Sequence, residues 1–289
     1  MKTEHSVNII IPAKNEVAGL DKFLPDLIKS YPDYEIIVVD DGSGDGTEQF
    51  CTSKGATVVR HQYSMGNGAA IKSGVRHANA PIIVFMDGDG QHNPEDIKKL
   101  LDKMNGGYDM VVGARSASSQ ASFGRLCANT FYNWFATFMV GHKIEDLTSG
   151  FRAVRADYFR KLLYLLPNGF SYPTTCTMAF FRQGYSVAYV PIEANKRIGK
   201  SHIRLLRDGY RFLLILFKIG TLYSPLKIFV PMSATFFVTG VGYYLYTYFT
   251  VGRLTNMTVL LLSTSVLIFL IGLVSEQITS LMYGKNMES

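Results

Sequence analysis

The chain has 289 residues, 47% of them hydrophobic, with a formal charge of +6 and a sequence pI near 9.1. That length allows one large α/β domain plus a small appendage. From Arg204 onward there are seven basic residues and only three acidic ones, so four of the six net charges flank the most apolar part of the chain. This distribution favours a membrane surface over nucleic acid as the basic region's partner. The three cysteines, Cys51, Cys127 and Cys176, are scattered and form no C-x-x-C pair, which argues against a disulfide framework or a zinc site and fits a reducing compartment.

The opening MKTEHSVNIIIP places polar residues before a short apolar run stopped by Pro12, which reads as a buried strand rather than a signal peptide. Short β-branched runs follow at Val7–Ile11, Glu35–Val39, Thr57–Val59, Pro81–Met86 and Asp109–Val112. Helical patterns separate them at Val17–Ser30, Thr47–Lys54, Gly68–Ala78 and Pro94–Met104. The alternation predicts an α/β domain with a mostly parallel sheet covered by helices on both faces. In such sheets the ligand crevice lies beyond the carboxyl ends of the strands.

Ala121–Val140 is predicted to be an aromatic-rich helix containing the only tryptophan, Trp134. A strand–helix–helix–strand stretch then ends at Val190–Pro191. In Arg204–Thr221 apolar residues recur at helical spacing opposite Arg204, Arg207, Asp208, Arg211 and Lys218, which predicts an amphipathic helix lying in a membrane interface. Ile228–Thr250 and Thr258–Tyr283 are each long enough to span a bilayer, which takes roughly 20 residues. Lys218, Lys227 and Lys285 outnumber the lone Arg253 of the connecting loop. The positive-inside rule then places the large domain and both termini in the cytoplasm. The expected division is a catalytic domain over 1–203, an interfacial helix and linker over 204–227, and a two-helix hairpin over 228–289.

Three strand ends carry acidic or polar loops. Asp87-Gly88-Asp89-Gly90-Gln91-His92 directly follows an apolar strand. Two carboxylates so placed can hold a divalent cation against a diphosphate, since Mg²⁺ and Mn²⁺ prefer oxygen ligands. Alone, an Asp-Gly pair is as readily a simple turn. Asp40-Asp41-Gly42-Ser43-Gly44-Asp45-Gly46-Thr47 ends a second strand. Its acids can accept hydrogen bonds from a base or ribose, and Asp45 or Thr47 can cap the next helix. Pro12-Ala13-Lys14-Asn15-Glu16 ends the first strand. The three loops together define one crevice.

These residues resemble the family-2 glycosyltransferases of the GT-A fold, above all dolichol-phosphate mannose synthase and the bacterial polyprenyl-phosphate glycosyltransferases. The resemblance runs from the first strand through both spans. It implies transfer of a sugar from a nucleotide-sugar of the GDP-mannose, UDP-glucose or UDP-N-acetylhexosamine type to a polyprenyl phosphate, with inversion. Pro12, Lys14, Asn15, Glu16, Val39, Asp41, Gly88 and the two acids of the D-x-D are then donor-site residues. Asp87, Asp89 and Gln91 are implied ligands of Mg²⁺ or Mn²⁺, and His92 a structural hydrogen-bonding residue. Gly113-Ala114-Arg115 matches the family's G-S-R. Arg115, Arg125 and Asn129 are implied to grip the acceptor phosphate, a task suited to the guanidinium fork. Asp146-Leu147-Thr148-Ser149-Gly150-Phe151-Arg152 matches D-x-x-S-G-F-R. It implies Asp146 near the acceptor, within a catalytic set of Asp87, Asp89, Arg115 and Asp146, and Arg152 as an ion-pair partner. Lys196, Arg197, Ser201 and His202 resemble the family's R-x-x-G-x-S-K loop over the donor diphosphate. There, histidine replaces the last lysine and the arginine is offset by one. Asn67 stands where lysine is common. A phosphate acceptor is already ionised, so Asp146 is not required as a base.

A processive polysaccharide synthase would carry Q-x-x-R-W, which the context of Trp134 excludes. A non-catalytic nucleotide-sugar-binding protein would keep binding without turnover. The implied partners are the nucleotide-sugar, the lipid phosphate and the membrane, with homo-oligomerisation left open. No basic, aromatic-laced face suggests nucleic acid.

Overall fold

The computed structural model describes residues 6–115, 123–169, 172–193, 214, 217–218 and 220–284, with 123–129 described by backbone alone. It divides into two compact units, Met1–Arg204 and Leu205–Ser289.

In the first unit, β1 (Val7–Ala13), α1 (Val17–Ser30), β2 (Glu35–Asp40), α2 (Thr47–Ser53), β3 (Thr57–Arg60), α3 (Asn67–His77), β4 (Ile82–Phe85), α4 (Asp96–Met104) and β5 (Met110–Arg115) alternate as predicted. Then come α5 (Phe123–Val140), β6 (Arg152–Arg155), α6 (Ala156–Lys161), α7 (Tyr172–Arg182) and β7 (Val187–Ile192). One seven-stranded sheet has the order β3-β2-β1-β4-β6-β5-β7. Ile9, Ile10 and Ile11 of the interior strand β1 are fully buried, because helices cover both faces of the parallel part of the sheet and every side-chain direction meets the core. On α1, Leu20, Phe23, Leu24 and Leu27 form the buried stripe, the three- and four-residue spacing of a helix face. Asn8 is the polar exception within β1. Its side-chain oxygen accepts from the N–H groups of Asn79 and Ala80 at 2.9 and 2.7 Å, and its amide donates to Glu35 at 2.9 Å. Burial without such partners would be costly.

β1 pairs in parallel with β2 and with β4. The carboxyl ends of these three strands therefore lie side by side, where the strand order reverses. β6 is antiparallel to both β4 and β5. The strand itself was expected; its reversed direction was not. Phe85 of β4 faces Arg152 of β6 in register, which brings the segment before β6 beside the loop after β4.

In the second unit, α8 (Leu226–Val251) and α9 (Asn256–Gly284) each contain an 18-residue stretch of mean hydropathy 1.4 and 2.5, respectively, and are long and apolar enough to cross a membrane. At 1.5 Å per residue they are about 39 and 44 Å long, beyond the ~30 Å of a hydrocarbon core. They pack through small residues. Ser233 Oγ donates to the Ser265 carbonyl at 2.9 Å, and Ser265 Oγ to the Ser233 carbonyl at 3.0 Å. Outward they present large apolar side chains such as Val238, Phe249 and Leu281, 69–81% exposed. Hydroxyl pairs and close backbones inside with hydrocarbon outside are what a hairpin in lipid requires. The predicted amphipathic helix Arg204–Thr221 lies almost wholly outside the described residues.

Candidate active site

The loops after β1 and β2 are latched together. Asn15 has a positive φ of 53°, a conformation asparagine tolerates better than most residues. In it, the Asn15 N–H donates to Ser43 Oγ, and the Gly44 N–H donates to Asn15 Oδ1, both at 2.9 Å. The Val17 N–H donates to Asp45 Oδ2 at 3.3 Å, and Asp45 Oδ1 accepts the Thr47 N–H at 3.1 Å. Asp45 thus joins the entries of α1 and α2. Pro12 and Val39 are paired in register on β1 and β2, and Gly88 backs onto the Pro12 carbonyl.

Asp41 is the hub of a buried network. It is 4% exposed. Its Oδ1 lies 2.8 Å from His61 Nδ1 and accepts the Met65 N–H at 2.7 Å. Its Oδ2 accepts from Ser64 Oγ at 2.8 Å and from the Gly66 N–H at 2.9 Å. Burial pushes this carboxyl up, but the bonds from His61, Met65, Ser64 and Gly66 outweigh it and hold the group down at about 2. In the tautomer whose Nδ1–H donates to the Asp41 carboxylate, His61 Nε2 accepts from Ser73 Oγ at 2.9 Å. Lys14 Nζ donates to Ser64 Oγ at 2.9 Å, so Lys14 and Asp41, both expected at the donor, meet through one hydroxyl. The expected ligand Asp41 therefore spends all four of its ordinary acceptor positions inside the protein. Nothing in the sequence pattern singled out His61, Ser64 or Ser73. The start of α3 is also covered: the Ala69 N–H donates to the Asn168 carbonyl at 3.0 Å and Lys72 Nζ to Asn168 Oδ1 at 2.7 Å.

The loop after β4 carries Asp87 and Asp89. The Gln91 N–H donates to Asp89 Oδ1 at 3.2 Å. His92, 5% exposed, stacks on Phe151 with centroids 4.9 Å apart, and its Nε2 lies 3.5 Å from Asp87 Oδ2. Burial raises the Asp87 pKa, yet His92, Arg115 and Arg152 together hold it below the usual carboxylate range. Among the described residues no group of three or more His, Cys, Asp or Glu side chains is assembled for a metal. Two carboxylates and the Gln91 amide are hard oxygen donors. They fit Mg²⁺ or Mn²⁺ only as a partial set that diphosphate oxygens and water would complete. A cleft of about 810 Å³ bounded by Lys22, Phe23, Lys29, Gly90 and His92 lies between α1 and this loop. It includes neither Asp87 nor Asp89, so it is the back of the loop and not the donor crevice.

At the end of β5, Arg115 is clamped by Asp146. Its Nε and Nη2 donate to the two carboxylate oxygens at 2.8 and 3.0 Å, and Nη2 also donates to Thr148 Oγ1 at 2.7 Å. Asp146, 3% exposed, accepts further bonds from the N–H groups of Arg115, Thr148 and Ser149. Burial pushes Asp146 up; Arg115 and these N–H groups outweigh it and hold it below the usual carboxylate range. Such a saturated, acidified carboxylate is a poor proton acceptor, and its evident work is to orient Arg115.

Arg152 departs from its expected ion pair. It is fully buried, and its guanidinium donates to the carbonyls of Ser149 and Pro173 and to Thr177 Oγ1. No carboxylate pairs with it among the described residues. The side chains of Arg125 and Asn129, and all of Lys196, Arg197, Ser201 and His202, lie outside what the structure describes.

A mostly parallel sheet with acidic loops on one edge is shared by many proteins, so the comparisons with known chains narrow it. Residues 8–163 match the model of "Glycosyl transferase family 2", and residues 224–281 match "GtrB C-terminal hairpin". Glycosyltransferase AglJ of Haloferax volcanii is 31% identical over 255 residues, covering 85% of this chain and 82% of its own. Polyprenol monophosphomannose synthase of Mycolicibacterium smegmatis is 31% identical over 204 residues, covering 65% and 77%. Glucosyl-3-phosphoglycerate synthase of Mycobacterium tuberculosis, solved with Mn²⁺ and UDP among other complexes, shares the fold at a TM-score of 0.59 and 22% identity, over 75% of this chain and 80% of its own. The family model spans more than half of the 289 residues and takes in the loops after β1, β2 and β4 and Arg115. This chain is therefore a member of glycosyl transferase family 2.

Proposed function

We propose that the protein transfers a sugar from a nucleotide-sugar to the phosphate of a membrane-held polyprenyl phosphate, with inversion. The observation that carries this reading is the joining, in one chain, of a donor-type acidic edge, an arginine fixed beside it and an apolar two-helix hairpin. The names of several relatives support the acceptor class: besides the mannose synthase, they include a dolichyl-phosphate hexose transferase of H. volcanii and an undecaprenyl-phosphate mannosyltransferase of Micrococcus luteus. The basic flanks of the hairpin support a cytoplasmic placement of the catalytic unit.

Asp87, Asp89 and Gln91 would hold Mg²⁺ or Mn²⁺, which when bound neutralises charge on the departing diphosphate. The chain's own part is positioning. The latched Asn15–Ser43–Gly44 loops and the Asp41 network give the nucleotide a rigid floor. Arg115 uses Nε and Nη2 on Asp146, which fixes the guanidinium and leaves its Nη1 donors pointed before any acceptor arrives. A pre-oriented guanidinium loses little entropy on binding phosphate. The acceptor oxygen, already ionised, attacks the anomeric carbon directly, so no base is needed.

The test incubates purified full-length protein in lipid nanodiscs with polyprenyl phosphate, Mg²⁺ or Mn²⁺ and a panel of GDP- and UDP-sugars, reading glycolipid by mass. One donor should yield a hexosyl or N-acetylhexosaminyl lipid phosphate, and Asp89→Ala should abolish it. Absence of product from the whole panel would overturn the reading.

A further inference from the structure

Gly150 occupies an unusual place. Its backbone is not in the left-handed region, so a positive φ is not what calls for glycine there. Space is what forbids a side chain. A β-carbon built at Gly150 would lie 2.6 Å from Asp87 Oδ2, 3.0 Å from Oδ1 and 3.1 Å from Cγ. The three nearest heavy atoms are thus all of one carboxylate. Real β-carbons essentially never approach closer than 3.0 Å, so the carboxylate as seated here excludes alanine.

The residues around Gly150 hold the same seat from other sides. Phe151 is the shelf on which His92 stacks, and His92 Nε2 closes on Asp87 Oδ2 at 3.5 Å. Arg152, fully buried, donates to Ser149, Pro173 and Thr177 and so ties them together beneath the segment. The Tyr172 hydroxyl donates to the Gly150 carbonyl at 3.3 Å. The antiparallel β6 delivers all of this to the loop after β4, since Phe85 and Arg152 are paired in register. Asp87 itself remains one-third exposed. It is therefore held by its neighbours and open to a ligand on its remaining side.

We infer that Gly150 is a positioning residue, a flat seat that fixes the Asp87 carboxylate against His92 in the orientation the donor complex uses. The inference rests on the reading of Asp87 as a residue facing the metal and diphosphate. It assigns a function to the second residue of Ser149-Gly150-Phe151-Arg152 that neither the backbone conformation nor any loop turn requires. A short side chain can escape the clash by rotating about its first bond, so Gly150→Ala should fold and displace the carboxylate rather than unfold the sheet.

The experiment uses the full chain in nanodiscs and titrates Mn²⁺ in the presence of UDP, and separately of GDP, reading free Mn²⁺ by electron paramagnetic resonance. G150A, D87A and G150A/D87A are compared with the wild type, and thermal unfolding is followed for each. The expected result is at least a tenfold weaker Mn²⁺ affinity for G150A, no larger than the loss in D87A, with Tm within a few degrees of wild type. In the D87A background G150A should add less than a twofold further loss, because the atoms it collides with are gone. Wild-type affinity in G150A overturns the inference. So does a loss in the double variant exceeding that of D87A, which would mean that Gly150 acts independently of Asp87. Should G150A prove unstable, recovery of Tm in G150A/D87A supports the seat and failure to recover refutes it. If the wild type binds no Mn²⁺ with either nucleotide, the donor-site reading fails, while the thermal comparison still reports on the seat.

Discussion

Single residues in this site do two kinds of work, and Asp41 shows the less visible one. Its carboxylate is depressed to about 2 from an ordinary 3.8 by bonds that exist only in the fold. The sign follows directly: the stabilisation is fully present above the unfolded pKa and is lost as pH falls from about 4 toward 2. A depression of this size corresponds to about 2 kcal/mol. Asp41→Asn should therefore cost about that much stability at pH 7, and the gap between variant and wild type should narrow at pH 3. Chemical denaturation at both pH values checks this; a gap that stays constant would mean the carboxylate's charge is irrelevant to the network. Arg115 carries the other kind of work. Arg115→Ala would strand the buried charge of Asp146, a loss of about 3–5 kcal/mol by precedent, and so would confuse stability with function. Arg115→Lys keeps the charge and removes the fork. We expect nucleotide affinity near wild type and an acceptor-dependent rate reduced about tenfold to a hundredfold, the range of a charge-assisted hydrogen bond of roughly 1.5–3 kcal/mol. A rate unchanged with lipid phosphate but reduced nucleotide affinity would move Arg115 to the donor side. Much of this was legible beforehand where chemistry sits in consecutive residues, as in Asp87 to His92. The His61–Ser73 half of the Asp41 network was not, because its members stand in separate elements and neither occurs in a patterned run.

Elements were legible where periodicity or length is strong. The five leading strands, the helices between them and both apolar helices appear within a few residues of their expected ends. The direction of β6 was not, since a short strand of Arg152–Arg155 has the same composition whichever way it runs, and its neighbours come from distant parts of the chain. With that direction the role of Gly150 was hidden too. The helix α5 is legible in a further respect. Among residues 130–140 there is no charged side chain, yet Phe131, Trp134 and Phe138 are 49–61% exposed and their rings follow one another along the helix, tilted for the first pair and stacked for the second. The opposite side, with Tyr132, Ala136 and Met139, is buried. A helix facing water would carry charges on its outer side, and an exposed apolar row of this kind marks an interaction surface. On the proposed function it offers the apolar path for the acceptor's lipid chain or the bilayer around it. Because Trp134 is the sole tryptophan, its fluorescence reports on this face alone. In vesicles containing lipids brominated near the headgroup end of the acyl chain, its emission should be quenched and shielded from iodide. Emission quenched by iodide and untouched by brominated lipid would place the row in water and remove the lipid path.

At the scale of the whole molecule the question is why a transferase with a self-contained core should also carry a hairpin. The first unit, ending at Arg204, holds the sheet, the loops after β1, β2 and β4 and the Arg115–Asp146 clamp, so it has every expected donor-site and acceptor-site residue that the structure describes. The hairpin contributes none of these residues. Its physical effect is to confine the enzyme to the surface on which a long-chain lipid phosphate is also confined, turning a search in volume into one in two dimensions. Tethering raises effective concentration without any new contact, and it does so for membrane-bound acceptors alone. A chain ending at Tyr223 should therefore bind nucleotide with unchanged affinity and use a short, water-soluble polyprenyl phosphate at a rate close to that of the full chain. With a long polyprenyl phosphate in vesicles it should fall behind, and the deficit should shrink as vesicle concentration rises, because added lipid surface replaces the tether. Initial rates over a range of vesicle concentrations measure this. If the shortened chain is equally impaired with the soluble acceptor, the hairpin shapes the site itself and confinement is not its function. If it is unimpaired with the long one, the hairpin has no part in delivering the acceptor.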